Sequence, residues 1–136
     1  MNDSQRAAKP AETDGTFPVT IYHNPACGTS RDTLARIRAA GVEPTVVEYL
    51  KAGWTRPQLE GLFSAMGVRP REALRERGSP AAELGLLEPG ATDDQILDAM
   101  VAHPILVNRP IVVTPLGSKL TRPAERVEAL LRRPAG

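Results

Sequence analysis

The single cysteine of the chain, Cys27, stands in the stretch YHNPACGTSR at residues 22–31. It falls in a short polar link between a β-rich run, VTIYH, and a segment with helical spacing, CGTSRDTLARIRAAG. At such a junction the free backbone N–H groups of the first helical turn and the positive end of the macrodipole stabilise an anion. The thiolate is therefore favoured, and the thiol pKa should fall. The amides of Gly28, Thr29 and Ser30 form a nest suited to a tetrahedral oxyanion, and Arg31, one turn on, adds a cation. The alternative, a small buried hydrophobe, fits poorly with the His, Asn, Gly, Thr, Ser and Arg around the sulfur. The residue three after Cys27 is Ser30, so the pattern is C-x-x-S. With no second cysteine in the chain, any redox step that ends in a disulfide must take its other thiol from another molecule.

The flanking pattern supplies the elements that must hold this thiol. VTIYH reads as a strand, and Leu34, Ile37 and Ala40 recur three apart in a helix that Gly41 stops. TVVEYL at 45–50 is a second β-branched run, so the first third reads as a βαβ unit with parallel strands. WTRPQLEGLFSAMG follows, with Thr55 as cap, Pro57 in the first turn, and Leu59, Leu62, Phe63 and Met66 on one stripe. PREALRERG and PAAELGL read as short helical pieces. TDDQILDAMVAHP carries a capping box at Thr92 and Gln95, turns Ile96, Leu97, Met100 and Val101 inward, and ends at Pro104 with His103 as a helix-end residue. IVVT and SKLT, separated by PLG, form a hairpin, and a last helix starts near Pro123, with Glu125 early and Arg132 and Arg133 late. This order, a βαβ half, a helical middle and a hairpin followed by a helix, is that of an α/β thioredoxin-like fold: a small mixed β-sheet flanked by helices, with a helical middle insertion.

Composition narrows the classes. A chain of 136 residues with net charge +1 is a single globular domain with no pull towards nucleic acid. Residues 1–16 lack any period and read as a flexible tail, which leaves 17–133 as the domain. No apolar run approaches the ~18 residues that span a bilayer, and the first residues carry no apolar secretory core, so the expected location is the cytoplasm. One cysteine and two histidines are too few for a usual structural zinc site.

YHNPACGTSR, HPILVNRPIVVTPLG at 103–117 and LTRP at 120–123 closely resemble the glutaredoxin-coupled arsenate reductases, a thioredoxin-fold family, and the resemblance runs from about Val19 to Leu131. It implies that Cys27 attacks arsenate while Arg75, Arg109 and Arg122 hold the oxyanion. Arg71 and Arg77 flank Arg75 and could stand in its role. It further implies that His23 helps lower the thiol pKa and that Arg109–Pro110 is a cis peptide facing the thiol. Glutathione is the implied co-substrate and glutaredoxin the implied partner, with no metal and no tightly bound cofactor. Forked, permanently charged arginines suit that oxyanion, because an unscreened thiolate would be repelled by a dianion.

Three other readings share these residues. CGTS is close to the C-G-F-S of monothiol glutaredoxins that bind iron–sulfur clusters, although the Arg109-Pro110 context differs. Spx-like regulators share the superfamily but often carry C-x-x-C as a redox switch, where this chain has Ser30. The third keeps the site and changes the substrate to another small oxyanion or a mixed disulfide.

Overall fold

The computed structural model describes residues 17–131. The tail expected at 1–16, and Arg132 and Arg133, lie outside them. Four strands form one mixed sheet in the order β2-β1-β3-β4, where β1 is Thr20–His23, β2 Thr45–Glu48, β3 Ile111–Thr114 and β4 Gly117–Leu120. β1 and β2 are parallel, with Ile21 beside Val46, and are joined by helix α1, Gly28–Ala39. β3 runs antiparallel to both β1 and β4, so that Ile21 also faces Val112 and Val112 faces Lys119. The expected hairpin is present, with Pro115 and Leu116 as its two-residue connection.

Alternation along the strands divides the core between the two faces. Ile21 and Val112 point to one face, where they pack with Ile37 of α1 and with Val127 and Leu130 of the C-terminal segment. Tyr22, Ile111 and Val113 point to the other, against Leu59, Leu62 and Phe63 of α3 (Arg56–Met66) and Ile96, Leu97 and Met100 of α4 (Asp93–Ala102). Both long helices of the middle begin with a complete capping box, Thr55 with Gln58 and Thr92 with Gln95. Their apolar stripes therefore start at a fixed point, α3 packing on β4 and α4 on α3. Between them lie a 3₁₀ turn, Pro70–Ala73, and a run of turns.

Several local expectations are corrected. The inward face of α1 is Ser30, Thr33 and Ile37, while Ala40 is exposed, because the first half of the helix packs on polar partners. Thr33 Oγ1 lies 3.3 Å from Thr121 Oγ1, and Thr121 bonds the Pro110 carbonyl through its N–H at 2.9 Å and its hydroxyl at 3.3 Å. Val101 is 38% exposed, past the edge of the α4 stripe. The run TVVEYL leaves the sheet at Glu48, and Tyr49–Ala52 forms a helical turn, α2, in which Tyr49 stacks on Trp54. PAAELGL forms turns and no helix, and the C-terminal helix opens as a 3₁₀ turn, Ala124–Val127, before α5, Glu128–Leu131.

Candidate active site

Cys27 is the N-cap of α1, with extended backbone angles and no side-chain capping bond, and its sulfur faces the first-turn amides. The first helical bond runs from Arg31 N–H to the Cys27 carbonyl at 3.0 Å, which leaves the amides of Gly28, Thr29 and Ser30 ahead of the ladder. Asn24 builds the turn that delivers the cysteine: its carbonyl accepts from Cys27 N–H at 2.9 Å and its Oδ1 from Ala26 N–H at 2.9 Å. Below this turn, the buried Ser30 hydroxyl accepts from Asn24 N–H at 3.0 Å and exchanges a hydrogen bond with His23 Nδ1 at 2.7 Å. Burial holds the His23 pKa below its ordinary value, with Glu48 opposing and Arg38 and Arg31 assisting. At neutral pH His23 is thus an uncharged brace on Ser30, not a cation beside the sulfur.

The cations at the sulfur come from the other end of the chain. Arg122 Nη1 lies 3.7 Å from Cys27 Sγ and donates to the Arg109 carbonyl at 3.1 Å. Arg109 is braced by Asn108, whose Oδ1 accepts from both its N–H at 3.2 Å and its Nη1 at 3.1 Å. The Arg109–Pro110 peptide is cis, as is Arg122–Pro123, which the sequence reading did not anticipate. Burial alone would push the thiol pKa up. The Ser30 N–H, the Arg109 charge and hydrogen bonds from Arg109 and Arg122 outweigh it, and the net displacement is downward. Arg31, expected to help, turns its guanidinium onto the Pro25 carbonyl at 2.8 Å.

Arg75 reaches the same place through an isolated bridge between Leu74 and Val107. Its N–H donates to the Leu106 carbonyl at 2.8 Å, while Asn108 N–H donates to the Ala73 carbonyl at 2.8 Å, which ties the middle segment to the loop carrying Arg109 ahead of β3. Its Nε is held by the Arg77 carbonyl at 2.8 Å, over Gly78. Burial lowers the Arg75 pKa first, and the nearby Arg109 and Arg122 lower it further, against the opposing pull of Tyr49 and Cys27. Arg71 is committed elsewhere: Nη1 donates to the Leu86 carbonyl at 3.4 Å, and Nη2 to those of Glu88 and Ala91 at 3.0 Å each. Of the three neighbours, Arg75 is the one whose charge joins Arg109, Arg122 and Cys27.

Arg75, Arg109 and Arg122 line a cleft of about 540 Å³ together with Arg71, Glu72, Glu76, Arg77 and Asn108. Arg122 connects this cleft to the thiol, since it lines the one and touches the other. Among the described residues, two buried polar atoms, Arg109 Nε and Tyr49 Oη, meet no hydrogen-bond partner. The bracing residues Asn24 and Asn108, and the buried Tyr49 beside the site, escaped the sequence reading. Asn24 and Asn108 sit one residue beyond His23 and one before Arg109, a spacing that could have drawn attention to them, whereas Tyr49 was hidden in a β-like run.

This arrangement favours the thiolate over the thiol and can hold a small anion opposite it. Alkylation of Cys27 followed against pH should give a midpoint below the ordinary thiol value of about 8.5. A midpoint at or above that value would contradict the electrostatics described here.

A family model described as ArsC family matches residues 22–134. The arsenate reductase of Rhizobium meliloti (strain 1021) is 61% identical over 113 residues, 83% of this chain and 81% of that protein. That of Escherichia coli (strain K12) is 55% identical, covering 83% of this chain and 80% of the relative. Among solved structures, an arsenate reductase from Vibrio cholerae aligns with a TM-score of 0.80 at 36% identity, over 84% of this chain and 98% of the other.

Proposed function

The chain belongs to the ArsC family, and from that premise we propose that it reduces arsenate to arsenite, with Cys27 as the nucleophile and glutathione and glutaredoxin as the outside thiols. The observation that carries this reading is the contact of Arg122 with both the thiol and the arginine-lined cleft. In the first step the Cys27 thiolate attacks arsenic(V), a sulfur–arsenic bond forms, and one arsenic-bound oxygen leaves as water. Arg75, Arg109 and Arg122 hold the remaining oxygens and offset their charge. A glutathione thiol then joins the arsenic, and a second arsenic-bound oxygen leaves as water. A further thiol, delivered by glutathione and glutaredoxin, attacks the sulfur of the first, and a disulfide forms. The electron pair of the broken arsenic–sulfur bond stays on arsenic, which becomes trivalent while still bound to Cys27. Hydrolysis then releases arsenite and restores the thiolate. In sum two outside thiols become one disulfide, and arsenate loses one oxygen as water. The second thiol must come from solution because the chain has only Cys27.

Arsenate-dependent NADPH oxidation, coupled through glutathione, glutathione reductase and glutaredoxin, tests the reading. A rate that vanishes when the outside thiols are omitted is expected. Arsenate reduction without any added thiol would contradict it.

Gly78 supplies a second check. It has φ +68°, a conformation that favours glycine, and a Cβ there would sit 2.7 Å from Arg75 Nη2. Gly78→Ala should cost about 1 kcal/mol in stability. It should also lower kcat/KM for arsenate by about tenfold, because displacing an anchoring group by ~1 Å is expensive in a positioned reaction. Unchanged kinetics in a folded Gly78→Ala protein would separate Arg75 from the oxyanion.

A further inference from the structure

The cleft is much larger than the anion its inner end would hold. A tetrahedral oxyanion of five heavy atoms occupies on the order of 100 Å³, the share of roughly three waters, against about 540 Å³ for the cleft. The donors are also unevenly committed. At the inner end Arg122 touches the sulfur and the Arg109 carbonyl, and Arg109 and Arg75 are braced by Asn108 Oδ1 and the Arg77 carbonyl. Arg71 is occupied by three carbonyls.

At the outer end the picture is different. Glu76 and Arg77, adjacent in the chain and exposed, both line the cleft, and among the described residues neither side chain has a hydrogen-bond or ion-pair partner. Most arginines outside the cleft find carboxylates: Arg36 with Glu128, Arg38 with Glu43, Arg56 with Asp98 and Arg69 with Asp93. The Arg77 backbone is nonetheless fixed, since its carbonyl holds Arg75 Nε and the Arg75 carbonyl accepts from Ser79 Oγ at 2.5 Å. A cation and an anion on neighbouring residues of an anchored turn, lining the cleft that Arg122 joins to the thiol, complement a molecule whose far end carries one charge of each sign.

We propose that Glu76 and Arg77 form a docking subsite for the zwitterionic amino-acid terminus of the thiol co-substrate, with Arg77 taking its carboxylate and Glu76 its ammonium, while the thiol points inward to the arsenic on Cys27. The proposal rests on the reading that an outside thiol completes the reduction, and it adds where that thiol is held. Charge-assisted pairs of this kind fix orientation as well as affinity. Because both side chains are exposed, the subsite favours a co-substrate that binds briefly and leaves as a disulfide.

Titration calorimetry with S-methylglutathione, which binds without reacting, tests the subsite whether or not arsenate is turned over. The coupled assay above tests the activity separately. The wild-type protein should bind S-methylglutathione in the millimolar range or tighter, and Arg77→Ala should weaken that binding roughly 5- to 10-fold, with Glu76→Gln weakening it less. Arg77→Gln serves if Arg77→Ala fails to fold. With the carboxylates of the probe esterified, the Arg77 substitution should no longer matter. Three outcomes would overturn the proposal: no binding by the wild type, an affinity within twofold in the Arg77 variant, or an equal loss with the esterified probe.

Discussion

Cys27→Ser should abolish arsenate reduction, by a factor of at least about 10³, while leaving the fold as stable as before or slightly more so. The size of the loss follows from the chemistry: a hydroxyl at this position stays protonated at neutral pH, and removing the nucleophile of a covalent mechanism costs several orders of magnitude in rate. The stability expectation follows from the geometry. Cys27 occupies the N-cap of α1 and makes no capping bond, whereas serine is among the preferred N-cap residues. Thermal unfolding measured beside the coupled assay separates the two effects. A serine variant that keeps a tenth of the wild-type rate would remove Cys27 from the chemistry, and one that loses activity together with its fold would leave only a structural role.

Arg122→Ala is expected to lower kcat/KM for arsenate by about 10²-fold, in the range found when one preorganised donor is removed from a developing anion. Two separate losses add here. Nη1 is 3.7 Å from the sulfur and 3.1 Å from the Arg109 carbonyl, so the variant loses a stabiliser of the thiolate and a brace on the segment that carries Arg109. The thiolate loss has its own signature. The Cys27 pKa is held down partly by the Arg122 hydrogen bond, so the alkaline rise of the pH–rate profile should move to higher pH in the variant. Arg122→Lys keeps the charge without the fork and should recover part of the rate. If both the rate and the profile match the wild type, Arg122 has no part in the site.

The sequence carried most of this because its punctuation was strong. The two capping boxes, Pro104 after α4, the Pro115–Leu116 turn and the glycine after α1 each mark an end that the chain obeys. Cys27 was legible for the same reason, as a thiol at a strand-to-helix boundary. What failed was any reading that needed the partner surface. Of Leu34, Ile37 and Ala40, which recur three apart, Ile37 is buried and Leu34 packs beside it, but Ala40 is exposed and the helix also buries Ser30 and Thr33, because Thr121 and the Asn24 turn meet it with hydroxyl and amide groups. Tyr49 was read as strand because β-branched residues precede it, but the chain turns helical there and places the ring on Trp54. Arg71, Arg75 and Arg77 could not be ranked from spacing alone. Only the carbonyls that capture Arg71 and the bridge that aims Arg75 distinguish them.

The hydroxyl pair Thr33–Thr121 couples α1 to the segment that brings Arg122 to the sulfur, across 88 residues of sequence. Any excursion in which the C-terminal hairpin detaches would therefore strip the thiol of its cation and uncover it at the same moment. Cys27 is a built-in reporter of partial opening: its labelling rate under native conditions, followed against denaturant, reads the free energy of that local event apart from global unfolding.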